Sequence, residues 1–169
     1  MSQTLNDFRS EINKRGLHSP NQFSIEIPRG ANGALLQLFC ESVSLPGTTI
    51  STFDYPLDFK GHDVKVPNGI TLDDVTCVFA LTNDFDIKKF FDKWHNEIIT
   101  QKYLLNYDES FVEDIFITAY DRKNEPRYKV KLRAAWPITV APIELGSASN
   151  DEYTKLQVTF TYNMLIPVV

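Results

Sequence analysis

Few side chains in this sequence are arranged to do chemistry. The three histidines, His18, His62 and His95, lack metal-ligand spacing to one another and to the two cysteines, Cys40 and Cys77. Asp73 and Asp74 at a strand start, with Asp84 and Asp86 at a helix start, are carboxylates of the kind used in acid–base catalysis. The second pair has a sufficient structural explanation, because the N-terminal end of a helix favours negative charge. No serine or threonine sits in a nucleophile elbow, and no phosphate-cradling glycine loop follows a strand. The remaining candidate is electrostatic. Arg127, Lys129, Lys131 and Arg133 alternate along one predicted strand, a ladder that suits phosphate or an acidic neighbouring subunit. Aromatic residues are not interleaved on that face, which argues against a platform for single-stranded nucleic acid. A solvated or subunit-paired strand face is expected instead. No catalytic, cofactor-binding or metal-binding residue is nominated, and no enzyme is expected.

The elements that position these residues are mostly strands, organised around residues 70–99. Val75, Cys77, Phe79 and Leu81 fall on one strand face, while Asp74, Thr76 and Thr82 fall mainly on the other. That period-2 pattern marks a half-buried strand. Asn83 or Asp84 is expected to cap the helix that follows. Ile87, Phe90, Phe91, Trp94 and Ile98 recur at spacings of three and four and form one apolar stripe. Lys88, Lys89, Asp92, Lys93 and Asn96 occupy the other positions and face water or a partner. Residues 6–16 form a short helix with Phe8 and Ile12 on one side and Gly16 as its stop, or a flexible arm. Residues 22–27 read as a strand with Phe23, Ile25 and Ile27 inward. The turn at 28–33 returns it as a hairpin to a second strand over 35–43.

Leu45, Pro46 and Gly47 make a corner in which proline fixes φ and glycine permits φ > 0. Residues 48–69 then form a long hairpin. Phe53, Tyr55, Leu57 and Phe59 alternate on the way out, Lys60, Gly61 and His62 make the tip, and Val64 and Val66 return, with 67–69 as the boundary. Pro56 favours an edge position, and an aromatic edge hairpin protruding from a small domain needs something to cover it. Further strands are expected over 115–119 and over 127–135, the latter closed by Trp136 and Pro137. The longest covers 153–166. There Leu156, Val158, Phe160, Tyr162, Met164 and Ile166 share one face, and Lys155, Gln157, Thr159, Thr161 and Asn163 share the other. The second face is polar but largely uncharged. It suits a wet, curved surface along which something passes without sticking, and equally any solvent-facing sheet.

A length of 169 residues fits one domain over 1–169 with a real core. A net charge of −5 argues against nonspecific nucleic-acid binding by a basic surface. The N-terminus opens without a hydrophobic signal region, and no apolar run reaches the ~18–20 residues that span a bilayer. The chain is expected to be made in a cytoplasm, where Cys40 and Cys77 are read as two buried thiols, with a disulfide between them as the alternative, since sequence alone does not place their Cα atoms within bonding range.

The ordered landmarks resemble the tail tube protein family of T4-like contractile phages. They are Asn21-Gln22-Phe23, Phe39-Cys40 followed by Leu45-Pro46-Gly47, and the long hairpin with Val64-Lys65-Val66. They continue through Thr71-Leu72-Asp73-Asp74, Thr82-Asn83-Asp84, the helix from Phe90 to Trp94, and Trp136-Pro137 before the last strand. Together they span residues 20–162 in the family's order. The resemblance implies a mainly β fold, an antiparallel sandwich or barrel with one flanking helix. It implies hexameric rings, stacked into a hollow tube, in which the sheets of the subunits join into one continuous inner barrel. Leu45, Pro46, Gly47, Phe53, Tyr55, Phe59, Lys60, Gly61 and His62 would then make inter-subunit and inter-ring contacts. Lys88, Lys89 and Lys93 would face a contractile sheath. The implied partners are further copies of the chain, the sheath protein, the tape measure protein, a baseplate tube-initiator and DNA in transit, with no cofactor and no insertion into membrane. The implied place is the virion tail, assembled in the host cytoplasm. The segment 106–113 and the apolar C-terminus depart from the pattern. A baseplate tube-initiator or secretion-system ring is the alternative within the same class, and a small ligand- or nucleic-acid-binding β-barrel is the remoter one.

Overall fold

The structure is a computed structural model that describes residues 5–30, 33–56, 63–99, 108–146 and 153–168. Its elements run α1 (Leu5–Arg15), β1 (Phe23–Glu26), α2 (Gly33–Phe39), β2 (Cys40–Val43), β3 (Thr48–Pro56), β4 (Asp63–Leu72), β5 (Val75–Ala80), α3 (Asp86–Ile98), α4 (Asp108–Phe111), β6 (Glu113–Tyr120), β7 (Pro126–Val140), β8 (Lys155–Thr161) and β9 (Met164–Val168). The fold is mainly β, and every strand pairing is antiparallel.

Among the described residues seven strands form a bent sheet in the order β1-β6-β7-β8-β5-β2, with β9 also on β7, while β3 and β4 pair only with each other. The long strand β7 makes the bend. Its first half pairs with β6 and β9, and its second half pairs with β8. The two halves of the sheet face each other across the core, which takes Ile25, Ile115, Ile117, Val130 and Leu132 from one half and Val75, Cys77, Phe79, Leu156, Val158 and Phe160 from the other. Helix α3 lies on the inner face of the second half. Phe91 meets Phe79 at 5.4 Å and Phe160 at 5.9 Å between ring centroids, and the Trp94 indole donates to the Phe111 carbonyl at 2.7 Å.

The amphipathic stripe behaves as its spacing predicts. Ile87, Phe91, Trp94 and Ile98 are buried, and Phe90 packs against them. The cap does not. Position N-cap is Phe85, with φ 54° and no side-chain hydrogen bond, so neither Asn83 nor Asp84 caps the helix. Residue Phe85 accepts the first helical bond from Lys89 at 2.9 Å after a tight turn onto Thr82. Helix α1 forms where a short helix was expected and stops at Gly16, whose φ of +72° is the left-handed stop.

Four expectations are corrected. Residues 35–43 are not one strand paired with 22–27. A helix, α2, occupies most of the span, because Leu36 and Phe39 at spacing three reach the core while Leu38 points out. Gly33 starts it because a Cβ there would stand 2.8 Å from the Ile27 carbonyl oxygen. The short β2 then pairs with β5 rather than β1. Residues 67–69 do not bound the hairpin; they lie inside β4, where the register skips Asn68 in a bulge opposite Ser51 and Thr52. Trp136 and Pro137 do not close β7. The backbone kinks at Ala134 (φ 53°), which moves the buried face from Val130 and Leu132 to Ala135 and Pro137 and lets the strand continue to Val140. Residues 153–166 are two strands, split at Tyr162 and Asn163 beside that same kink. The Gly47 corner also has a different cause. Its φ is not positive, and a Cβ there would stand 2.6 Å from the Asp73 carboxylate.

Candidate assembly surfaces

The hairpin of β3 and β4 is a two-stranded ribbon whose side chains are mostly exposed. A ribbon of two strands is marginal by itself in water. Its base is held by the body: Asp73 donates its backbone N–H to the Gly47 carbonyl at 3.3 Å, and the Tyr162 hydroxyl donates to the Asp73 carbonyl at 2.9 Å. Below it Ser44 and Thr76 exchange hydrogen bonds at 2.8 and 2.9 Å.

The bulge gives this ribbon two apolar patches on opposite faces. Ile50 stands opposite Ile70 near the base, and Phe53 and Tyr55 stand opposite Val66 and Val64 further out. Strand β3 is uninterrupted, so Ile50 and Phe53 point to opposite sides. All but Val66 are substantially exposed, from 42% for Val64 to 70% for Ile70. Leu45 is exposed and Pro46 half-buried at the corner that leads into the ribbon. Leu57 and Phe59 of the outgoing alternation and the expected tip, Lys60, Gly61 and His62, lie outside the described residues.

Helix α1 is the second surface of this kind and was not nominated from the sequence. It has no buried residue, and Leu5 and Phe8 are 72% and 63% exposed. Its stripe of Leu5, Phe8 and Ile12 at spacings of three and four was the available signal.

The second half of the sheet turns its other face away from α3. Thr76, Gln157, Thr159 and Thr161 line it, with Thr76 and Thr159 hydroxyls 3.4 Å apart. The charges at its end are compensated, since Lys155 pairs with Glu41 at 3.1 Å. A hydrogen bond from Tyr153 and the Lys155 ammonium hold the Glu41 carboxyl below its ordinary value.

On α3 the three lysines are not equivalent. Lys88 pairs with Asp92 one turn on and is half-buried, Lys89 reaches Asp86 at 3.7 Å, and Lys93 is exposed. Lys89 and Lys93 share a shallow cleft of about 510 Å3 with Arg29, Asp86, Phe90 and Glu97. Arg29 is itself tied to Glu97 and stacked 4.8 Å over the Trp94 ring. The result is a mixed-charge rim rather than a basic face.

Three of the four residues of the basic ladder are likewise matched from within the chain, and Arg133 is exposed. Lys129 meets Glu26 of β1 at 3.5 Å, Lys131 meets Asp114 of β6 at 2.7 Å, and Arg127 meets Asp121 and Glu125 at 2.8 and 2.6 Å. Both lysines also lie over the Phe116 ring. That leaves little unpaired positive charge for phosphate. The Asp114 carboxyl is held below its ordinary range, first by the Lys131 hydrogen bond and next by the Ala134 N–H. A lowered carboxylate contributes stability above its unfolded value and loses it as pH falls through the folded one. Asp114→Asn is therefore expected to destabilise by about 0.5–1 kcal/mol at about pH 7, a figure reduced for solvent exposure. The gap should narrow at about pH 2.5, below the ordinary carboxylate range. Urea unfolding at both pH values checks it, and a gap independent of pH would contradict it.

Among the described residues no group of three or more histidine, cysteine or acidic side chains is placed to hold a metal ion. No described helix is long and apolar enough to cross a membrane.

The comparisons agree with this surface-dominated picture. Residues 4–166 match the family described as phage tail tube protein. No curated protein matches the chain. Among solved structures, an extracellular contractile injection system, the PVC sheath-tube complex in its extended state, has a chain that superposes with TM-score 0.69 at 16% identity over 99% of both chains. The tube terminating cap of the anti-feeding prophage gives 0.68 at 16% identity, covering 90% of this chain and 91% of that one. The PVC sheath/tube terminator in the extended state gives 0.66 at 17% identity, over 88% of this chain and 94% of that one. At such identities the likeness is one of fold.

Proposed function

This chain belongs to the phage tail tube protein family and is a structural subunit of a tail tube, and we propose that it does this work as hexameric rings stacked around a lumen. The observation that carries the reading is the β3–β4 ribbon, a two-stranded sheet with exposed apolar patches on both faces. A ribbon of that kind requires other copies to cover it, and two patches on opposite faces call for a neighbour on each side. Leu45, Pro46, Gly47, Phe53 and Tyr55 belong to this contact, and Phe59, Lys60, Gly61 and His62, outside the described residues, are assigned to the contact with the next ring. Strands β1, β2 and β9 each pair with one described strand, so the sheets of adjacent copies join at such edges, and the ring closes without exposed edges.

The hydroxyl and amide face of Thr76, Gln157, Thr159 and Thr161 lines the lumen. Neutral polar groups keep water bound and offer neither strong attraction nor repulsion to a tape measure protein or to DNA in transit. Helix α3 lies on the opposite side of that sheet, so it faces outward. There Lys89 and Lys93, with Asp86 and Phe90, meet the contractile sheath. Assembly takes place in the host cytoplasm and starts on a baseplate initiator. The family's role is structural, and no enzymatic step is assigned.

Negative-stain microscopy of the purified protein tests the reading. Rings and stacked tubes are the expected species. Monomers under all conditions, together with failure to enter tails, would overturn it. Copy number in particles separates a tube subunit, present in many stacked rings, from an initiator present in one.

A further inference from the structure

The two cysteines, for which the sequence left both buried thiols and a disulfide open, share one face of neighbouring strands. Cys40 stands opposite Phe79 and Val43 opposite Cys77, with an added residue on β2 between Cys40 and Ser42. Phe79 and Cys77 are fully buried on the core face of β5, and Cys40 packs against the same core from β2. The thiols are therefore diagonal neighbours, with the Cys40 thiol donating to the Ser42 carbonyl at 3.5 Å. Diagonal neighbours have Cα atoms about 7–8 Å apart, and a disulfide takes about 4.4–6.8 Å. Closure thus requires β2 to shift by about 1 Å, which a short edge strand bent by its own bulge can provide.

We propose that Cys40 and Cys77 are a disulfide-forming site, closed by exchange with a small-molecule disulfide such as oxidised glutathione. The two thiols are suited to different steps. Cys40 is half-buried and opens on a cleft of about 610 Å3 lined by Asn21, Phe23, Ala34, Gln37, Leu38 and Glu41. The neighbouring Cys77 thiol holds the Cys40 thiol below its ordinary value against the opposing effect of burial. The neighbouring Cys40 sulfur, burial and the Cys40 charge push the Cys77 thiol up.

The Cys40 thiolate attacks first, forming a mixed disulfide and releasing one small thiolate, which takes up a proton from solvent. That step removes the negative charge that kept Cys77 protonated. Cys77 then gives its proton to solvent, and its sulfur attacks Cys40 Sγ and expels the second small thiolate. Two protein thiols have lost two electrons and two protons, and one small disulfide has become two thiols.

The cross-link encloses residues 41–76, and so the whole excursion of β3 and β4. Gly47 with Asp73, and Ser44 with Thr76, already hold the base of that ribbon. Oxidation adds a covalent tie at the same place, limiting how far the ribbon's two roots can separate.

The full chain, incubated with oxidised glutathione and analysed by intact mass and thiol titration, tests the site. The expected product has lost both thiols and two hydrogens, yields one Cys40–Cys77 linked peptide, and runs as a monomer without reductant. Its thermal midpoint should rise by roughly 5–10 °C. In Cys77→Ser the mixed disulfide at Cys40 should accumulate, and in Cys40→Ser the remaining buried thiol should react at least about tenfold more slowly. Two unreacted thiols, a stable double adduct or a cross-linked dimer of the wild-type chain would overturn the proposal.

Discussion

Replacing Phe53 and Tyr55 together by aspartate is expected to abolish polymerisation while leaving the folded body of the chain unchanged. Both side chains are exposed on the outer half of the ribbon, 44% and 54%, and neither belongs to the core. Substitutions at such positions usually change stability by no more than about 0.5 kcal/mol each. Burying these two rings against a neighbour is worth about 1.5–3 kcal/mol each, and a buried, unpaired aspartate reverses the sign. The concentration needed for assembly should rise at least about 100-fold, since each 1.4 kcal/mol is a factor of ten. Circular dichroism and thermal unfolding should match the parent within a few degrees. Sedimentation and microscopy read the assembly. Normal tubes at the parent concentration would remove the ribbon from the interface.

The largest expected effect on the fold itself comes from Trp94→Ala. The indole is 1% exposed, lies 6.0 Å from the Phe160 ring and 6.4 Å from Phe91, and donates its only hydrogen to the Phe111 carbonyl. Truncation of such a residue costs about 3–5 kcal/mol, and the Phe111 carbonyl loses its shorter hydrogen bond, keeping the one from Arg29 at 3.3 Å. A domain of this size has about 5–15 kcal/mol in total. The thermal midpoint should fall by roughly 6–20 °C, and Trp94→Phe, which keeps most of the packing, should fall by less than half as much. A midpoint within a few degrees of the parent would mean that α3 is not the clamp on the second half of the sheet.

How far the sequence revealed this depends on the range of the interaction. The apolar stripe of α3 and the alternation of Val75, Cys77 and Phe79 are local periodicities, and both stand as read. The long ribbon was legible too, from Phe53, Tyr55, Val64 and Val66 between corner residues. Residues 35–43 were misread because apolar residues on both faces suit a covered strand as well as a short helix followed by a strand. The continuation of β7 past Trp136 and the split at Tyr162 depend on one kink, at Ala134, which only the pairing partners can impose. Phe85 as the cap follows from the tight turn at Thr82, and no capping residue signals it.

The charged surfaces were the least legible. Whether Lys129 and Lys131 present free charge depends on Glu26 and Asp114, which come from strands distant in sequence and are placed beside them by register alone. Lys88 is the local case, since its partner Asp92 lies one turn on and offers an intrahelical alternative to a sheath. The relation of Cys40 to Cys77 required knowing that β2 leaves β1 and joins β5. The neutral face of β8 was visible as a pattern, but its position opposite α3 was not.

A reconstruction of tubes assembled from the purified chain by electron cryomicroscopy tests the central claim most directly. The account predicts six copies in each ring, with Thr76, Gln157, Thr159 and Thr161 at the inner radius, α3 at the outer radius, and the ribbon of β3 and β4 held between neighbouring copies. Tubes with α3 turned to the lumen, or a ribbon folded back on its own subunit, would contradict it.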